Sequence, residues 1–174
     1  EIVSIPSKTY RSWSNPDQVN EITAFFKKFI DEKHAILFIA GGLIDPSRTK
    51  LELNQANYLL PKNILEATQR LNVRVITFGT IMEKYNVSNP YIDSKKKFLD
   101  YVEKHKYTGK QLTHIRLHTL YGIGSPSKFM FLGLIFRALK YNLPFSMTNG
   151  EQFREYHHIL DDITAIDFLV KKKY

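Results

Sequence analysis

The sequence contains no cysteine, which excludes disulfide bonds, thiolate metal ligands and a cysteine nucleophile. It also has no apolar stretch long enough to cross a bilayer, since the best candidate, residues 129–139, is short and includes Arg137. No secretory signal stands at its start. These absences favour a cytoplasmic protein that has no membrane partner.

What is present fits a folded domain, because 174 residues with 43% hydrophobic content suffice for one real core. The net charge of +8 attracts anions, so nucleic acid, anionic membranes and phosphorylated small molecules are all candidate ligands. Much of the excess lies in lysine runs at residues 95–97 and 171–173. A solvated surface is the simpler interpretation of such runs.

Both ends of the chain interrupt a structural pattern. Glu1 precedes a strand-like segment, residues 2–5, and the last residues directly follow a helical pattern. We therefore expect a part of a longer protein.

Apolar periodicity alternates between strand and helix along the chain. Residues 35–40 form a continuous apolar run, which predicts a strand buried on both faces. Asn89 and Pro90 are suited to begin a helix. The alternation predicts an α/β fold with a mostly parallel, doubly wound sheet. Further strands are predicted at residues 73–78, 112–120 and 145–147, and helices at residues 22–30, 52–71, 90–107, 128–141 and 161–170.

Small or polar residues end three of the predicted strands, at residues 40–42, 79–80 and 119–122. Ligands of open parallel sheets bind outside the carboxyl ends of the strands. Small residues there let a ligand approach the backbone closely, although glycine can also simply end a strand.

Tyr91 and Lys95 are spaced to share one face of a helix. An ammonium group near a phenol favours the phenolate and lowers its pKa, which would make Tyr91 a proton-transfer group near neutral pH. Thr80, at a preceding strand end, could orient the reacting oxygen. Tyr58 and Lys62 have the same spacing but no such strand end close before them, and we assign that pair to a solvent or interface face.

Further motifs follow one another in order along the chain. Phe38 lies in the strand pattern of residues 35–41, Asn57 in the second predicted helix and Thr80 at a strand end. YxxSK spans residues 91–95, RLHTLYG spans residues 116–122 and REYHHILD spans residues 154–161. In this order they resemble the extended short-chain dehydrogenases/reductases, also called NAD-dependent epimerase/dehydratases, over nearly the whole chain.

The resemblance implies a Rossmann-like enzyme that uses NAD or NADP and acts on a nucleotide-sugar substrate, as an epimerase or a 4-keto-reductase. Tyr91 would be the general acid/base, Lys95 would bind the nicotinamide ribose and keep the pKa of Tyr91 low, and Thr80 would hydrogen-bond the reacting oxygen. The implied cofactor-binding residues are Phe38, Ala40, Gly41, Asn57, Lys95, Leu117 and Thr119. The implied substrate-binding residues are Thr80, Thr119 and Arg154.

The sequence departs from the family pattern in several places. Phe38 replaces a histidine and Thr119 replaces an asparagine. The glycine-rich phosphate loop of the first βα unit is not among these residues, and without it we expect weak cofactor binding. Ile81 and Met82 stand where sugar dehydratases carry Asp-Glu, which disfavours dehydration. Lys8 and Arg11 favour a 2′-phosphate slightly.

The family also implies a division of the chain and an assembly. We expect an NAD(P)-binding domain over residues 1–142, which lacks its first βα unit, and the start of a substrate-binding region over residues 143–174. We further expect a homodimer that pairs through the helices predicted at residues 52–71 and 90–107.

Two other interpretations stay open. A non-catalytic Rossmann-like protein could recognise RNA through its basic surface, although such proteins usually lose the pair that Tyr91 and Lys95 form here, so we expect no nucleic-acid partner. The second interpretation is a degenerate member of the family that binds no cofactor. His157, His158 and Asp161 could suggest a metal, but Asp161 is more simply a helix N-cap, and we expect no metal site.

Overall fold

The computed structural model describes residues 2–30, 35–69, 71, 73–105, 107 and 111–172. The chain divides into two compact units, Glu1–Arg116 and Leu117–Tyr174. The boundary that we predicted after residue 142 concerns the roles of the regions and stays a prediction. Within the described residues, no helix combines the length and the apolar character needed to cross a bilayer.

Strands and helices alternate along most of the chain. The strands are β1 (Ala35–Ile39), β2 (Val73–Thr80), β3 (Leu112–Leu117), β4 (Thr119–Tyr121) and β5 (Tyr156–His158). The helices are α1 (Ser7–Tyr10), α2 (Val19–Lys27), α3 (Lys50–Asn54), α4 (Leu60–Thr68), α5 (Pro90–Lys104), α6 (Phe131–Tyr141) and α7 (Ile159–Lys171). Short 3₁₀ turns at Arg11–Ser14, Pro16–Gln18 and Ile81–Lys84 and a π-helical turn at Gln55–Leu59 complete the regular structure.

The first unit is built on a three-stranded sheet in the order β1-β2-β3. β1 and β2 are parallel, with Ala35 opposite Val73 and Ile39 opposite Thr77. Trp13 and side chains of α2, α4 and α5 pack into a common core with this sheet. The prediction of an α/β fold with a parallel sheet and flanking helices is confirmed.

One face of β1 departs from the prediction. Ile36 is 38% exposed and Phe38 is 47% exposed, whereas Ile39 is buried. The prediction of a strand buried on both faces was therefore wrong for β1. An apolar run is buried on both faces only where another layer covers the second face, and the run itself does not contain that information.

The predicted strand at residues 2–5 was also wrong, because residues 2–6 have no regular structure and Ile2 is almost fully exposed. A strand needs a neighbouring strand to pair its backbone groups. No described strand pairs with this segment.

The long helix predicted at residues 52–71 is interrupted. Thr49 begins α3 with a capping box that it shares with Glu52. After α3 the backbone widens into the π-helical turn Gln55–Leu59 and then continues as α4. Such turns are rare and are frequent at functional sites.

Local capping signals placed the start of α5 correctly. Pro90 is its first residue, and the Asn89 side chain accepts a hydrogen bond from the Ile92 amide at 2.9 Å. The helix ends at Lys104, three residues before the predicted end at residue 107. Residue 106 and residues 108–110 lie outside the described part.

The second unit contains α6, α7 and a parallel pair of strands, β4 and β5. The strand predicted at residues 112–120 is broken at His118, and residues 145–147 form no strand. α6 begins at Phe131 rather than at residue 128. α7 begins at Ile159, and the imidazole of His158 accepts from the Leu160 amide. Asp161 lies in the first turn, so its prediction as the N-cap was wrong.

Candidate active site

Lys95 lies one turn after Tyr91 on α5 and turns its ammonium group toward the end of β2. Its Nζ donates a hydrogen bond of 3.0 Å to the backbone oxygen of Phe78. A Cβ added to Gly42 would lie 3.4 Å from the same Nζ. The ammonium group is thus held between the residues that follow β1 and the end of β2.

The pKa of Tyr91 is shifted in the direction opposite to the expected one. Burial raises the pKa of its phenol, and the nearby charge of Glu83 raises it further. The expectation that Lys95 keeps the pKa of Tyr91 low was therefore wrong for the protein without bound cofactor or substrate. Burial also lowers the pKa of Lys95, partly offset by Glu83, so the ammonium is itself disfavoured.

Thr80 is tied to the turn that follows it. Its amide donates to Glu83 Oε1 at 3.0 Å, and its hydroxyl accepts from the Met82 amide at 3.3 Å. These bonds form a capping box that begins the turn Ile81–Lys84. The hydroxyl therefore has a structural role beside the role predicted for it.

A buried polar chain supports this turn from the sheet. The Glu83 side chain is 0% exposed and lies 3.1 Å from His114, whose side chain is 8% exposed. The other imidazole nitrogen of His114 lies 2.8 Å from the Thr77 hydroxyl. Sequence reasoning missed Glu83 and His114, which are far apart in the chain and belong to no motif that we recognised.

Gly79 is required by this polar chain. A Cβ on Gly79 would collide with the Glu83 carboxylate and the His114 imidazole. The glycine of the predicted strand end therefore makes room for two side chains of the protein itself. Close approach of a ligand to the strand end was only one possible reason for a glycine at this position.

Asn57 lies in the π-helical turn and is 1% exposed. Its Oδ1 accepts from the Leu43 amide and its Nδ2 donates to the Leu43 oxygen, both at 2.8 Å. Nδ2 also donates to Ser94 Oγ at 3.0 Å. Asn57 thus joins the loop after β1 to the residue next to Lys95, which brings two predicted site residues into one cluster.

Phe38, Ala40 and Gly41 line an open apolar groove of about 810 Å³ along β1. A Cβ on Gly41 would meet nothing within 4 Å. These three residues are neighbours in the chain and all lie along this groove, and their predicted role in cofactor binding stays a prediction.

Three of the predicted cofactor- and substrate-binding residues belong to the second unit. Leu117 and Thr119 are partly buried, and Arg154 is exposed. Thr119 begins β4 and lies in register with Tyr156 of β5. Their predicted roles in cofactor and substrate binding stay predictions.

The pair with the same spacing, Tyr58 and Lys62, has a different environment. Lys62 forms an ion pair with Glu66 at 3.1 Å, and Tyr58 packs against the core. Neither contact involves the end of a strand. The pair therefore provides an internal control for Tyr91 and Lys95.

Comparison with known families gives one match that spans most of the chain. The model of the NAD dependent epimerase/dehydratase family matches residues 13–174. Comparison with curated proteins gives no match.

Solved structures with a similar fold include three sugar-nucleotide enzymes. UDP-glucuronic acid 4-epimerase from Bacillus cereus, in complex with NAD, has 16% identity and a TM-score of 0.73, and the match covers 88% of this chain and 53% of the other. dTDP-4-dehydrorhamnose reductase from Bacillus anthracis, in complex with NADP, has 15% identity and a TM-score of 0.72, and the match covers 99% of this chain and 62% of the other. ADP-L-glycero-D-manno-heptose-6-epimerase from Helicobacter pylori has 20% identity and a TM-score of 0.67, and the match covers 92% of this chain and 55% of the other. The chain thus spans between half and two thirds of the length of these proteins, and at these identities the likeness shows the fold.

Proposed function

Because the chain belongs to the NAD dependent epimerase/dehydratase family, we propose that it is part of an NAD(P)-dependent enzyme that reduces or epimerises a nucleotide-sugar. The observation that carries the proposal is the placement of Lys95. Its ammonium is held at the end of β2, next to Gly42, one helical turn from Tyr91. UDP-glucuronic acid is bound by one similar structure, which supports a nucleotide-sugar as the substrate class.

In this proposal Tyr91 transfers the proton at the reacting oxygen of the sugar. Its raised pKa keeps the phenol protonated near neutral pH. The protonated phenol is the form that donates to a ketone oxygen during reduction, and donation by a positioned acid contributes roughly 10²–10⁴-fold to the rate. Thr80 hydrogen-bonds the same oxygen and is held in place by its bond to Glu83.

The residues present fit the nicotinamide half of the cofactor. Phe38 and Gly41 are accessible in the groove along β1, where a planar group can approach the backbone. Lys95 offers donors to ribose hydroxyls close to Gly42. A bound nicotinamide would supply or accept the hydride, and the proposal covers both NAD and NADP.

The residues that follow Thr80 favour reduction or epimerisation over dehydration. Ile81 and Met82 have no proton to deliver to a departing hydroxyl. Glu83 is the nearest carboxyl group in the sequence, and it is engaged with the Thr80 amide and His114. We therefore propose a reaction at a 4-keto group or at an epimerised carbon. A cytoplasmic location and a homodimer also belong to the proposal, as the family resemblance implies.

The test is a screen of nucleotide-sugars and 4-keto nucleotide-sugars against the full-length protein, with NADH and NADPH in parallel. Loss of the absorbance of reduced cofactor reports reduction. Chromatography of the sugar nucleotides reports epimerisation, which consumes no net cofactor. Turnover of at least one substrate supports the proposal. A folded protein that binds neither cofactor and converts no substrate supports a non-catalytic binding protein instead.

A further inference from the structure

The register of β4 and β5 brings two histidines and a glutamate to one side of the second unit. Leu120 lies opposite His157, and the imidazole rings of His118 and His157 are stacked with their centroids 4.5 Å apart. Glu155 precedes His157 by two residues and reaches both rings. The neighbouring register pair, Thr119 and Tyr156, projects to the opposite face of the strands.

Glu155 lies at distances from both imidazoles that are close to the ligand–ligand distances of a tetrahedral metal site. Glu155 Oε1 lies 3.0 Å from His157 Nε2, and Glu155 Oε2 lies 3.5 Å from His118 Nδ1. One ligand atom from each residue lies within 4.8 Å of the others. Tetrahedral bonds of about 2.0–2.1 Å place ligand atoms about 3.3 Å apart, which lies between these two carboxylate–imidazole distances.

Asp162 orients the central histidine from the first turn of α7. Its Oδ1 lies 2.9 Å from His157 Nδ1, and its side chain is 17% exposed. A carboxylate that accepts from one imidazole nitrogen fixes the proton there and leaves the other nitrogen free to coordinate. Histidines that bind zinc commonly have such a partner.

We propose that His118, Glu155 and His157 bind a divalent transition-metal ion, with Zn²⁺ as the best fit, and that Asp162 positions His157. Two imidazoles and one carboxylate are a ligand set that zinc accepts, and the fourth position is left to water or another ligand. All of these residues belong to the second unit and none of them is assigned a role in the proposed proton transfer, so the proposal does not depend on the proposed enzymatic function.

A local ion-pair network is the competing explanation. In that case Glu155 and Asp162 would simply neutralise a protonated His157, and His118 would only stack on it. The two explanations differ in one direct respect. A metal site binds Zn²⁺ with one ion per chain through both imidazoles, whereas an ion-pair network does not.

The experiment is isothermal titration of Zn²⁺ into the full chain, purified without a histidine tag, at pH 7.5 in a non-chelating buffer. We expect one ion per chain with a dissociation constant in the micromolar range or tighter. His118→Ala and His157→Ala should each weaken binding by about 100-fold or more, and Asp162→Asn by about 10–100-fold. His105→Ala, which removes an imidazole from the first unit, should leave binding unchanged.

Glu155→Gln keeps the test valid if a histidine variant fails to fold. Glu155 is largely exposed, so its substitution preserves the fold, which circular dichroism verifies. We expect at least about 10-fold weaker Zn²⁺ binding in Glu155→Gln, because the anionic ligand is lost. Absence of stoichiometric Zn²⁺ binding, or binding that persists unchanged in the His118, His157 and Glu155 variants, overturns the proposal.

Discussion

The carboxylate of Glu83 and the imidazole of His114 are 3.1 Å apart, and both side chains are almost completely removed from solvent. Through this contact the turn after β2, which contains Glu83, binds to β3, which contains His114. Glu83 also accepts a hydrogen bond from the Thr80 amide. Burial raises the pKa of Tyr91 and lowers that of Lys95, and the charge of Glu83 adds to the first shift and opposes the second. One buried carboxylate therefore interacts with all three residues that we predicted to be catalytic.

We predict that Gly79→Ala destabilises the protein by about 1–3 kcal/mol, the usual cost of forcing an extra methyl group into a packed region. The added Cβ would collide with the Glu83 carboxylate and the His114 ring. Denaturant unfolding of the variant measures this loss. Gly41→Ala is the matched control, because its Cβ would meet nothing within 4 Å. Equal stability of the two variants would show that Glu83 and His114 are not packed over Gly79.

We predict that Glu83→Gln lowers the pKa of Tyr91. The carboxylate raises this pKa because it disfavours a second negative charge nearby, and the amide keeps an acceptor for Thr80 but has no charge. A pH titration followed by ¹³C-tyrosine NMR reports the value, with the resonance assigned from Tyr91→Phe.

Glu103→Gln, an exposed substitution near the far end of α5, serves as the control for this titration. It should leave the pKa of Tyr91 unchanged. A pKa of Tyr91 that stays constant or rises in Glu83→Gln would show that the charge of Glu83 does not act on the phenol.

We predict that Asn57→Leu costs on the order of 3 kcal/mol of unfolding free energy. The substitution leaves the Leu43 amide and oxygen without their partner in a partly buried region, and the Ser94 hydroxyl keeps only the bond that it donates to the Tyr91 oxygen. Thermal and denaturant unfolding measure the effect. Asn54→Leu, in the same helical segment, loses only an exposed bond to Lys97 and should change stability by about 0.5 kcal/mol or less. A cost for Asn57→Leu as small as this would contradict the role assigned to Asn57.

The features that the sequence predicted are those with local causes. Asn89 and Pro90 began α5 as expected, because a cap and a preset φ angle act within one turn. The order of strands and helices from β1 to β3 followed from apolar periodicity, whereas the strands predicted at residues 2–5 and 145–147 did not form and β5 was not predicted. The exposure of Phe38 depended on what covers β1, which periodicity does not encode.

Contacts between distant residues were the ones that the sequence did not reveal. Glu83 and His114 meet only because β2 and β3 are neighbours in the sheet. His118 and His157 meet only through the register of β4 and β5. The direction of the pKa shift of Tyr91 was misjudged for the same reason, since the spacing suggested a partner in Lys95 but revealed neither the burial of the phenol nor the nearby carboxylate of Glu83.

The most direct test of the proposed mechanism is turnover of Tyr91→Phe in the full-length protein, measured beside Tyr58→Phe on a substrate found in the screen. Both variants remove one phenol hydroxyl from a tyrosine four residues before a lysine, but we propose proton transfer only for Tyr91. We expect Tyr91→Phe to lose about 10²–10⁴-fold in kcat with cofactor binding nearly intact, and Tyr58→Phe to keep its activity. Unchanged turnover in Tyr91→Phe would contradict the account.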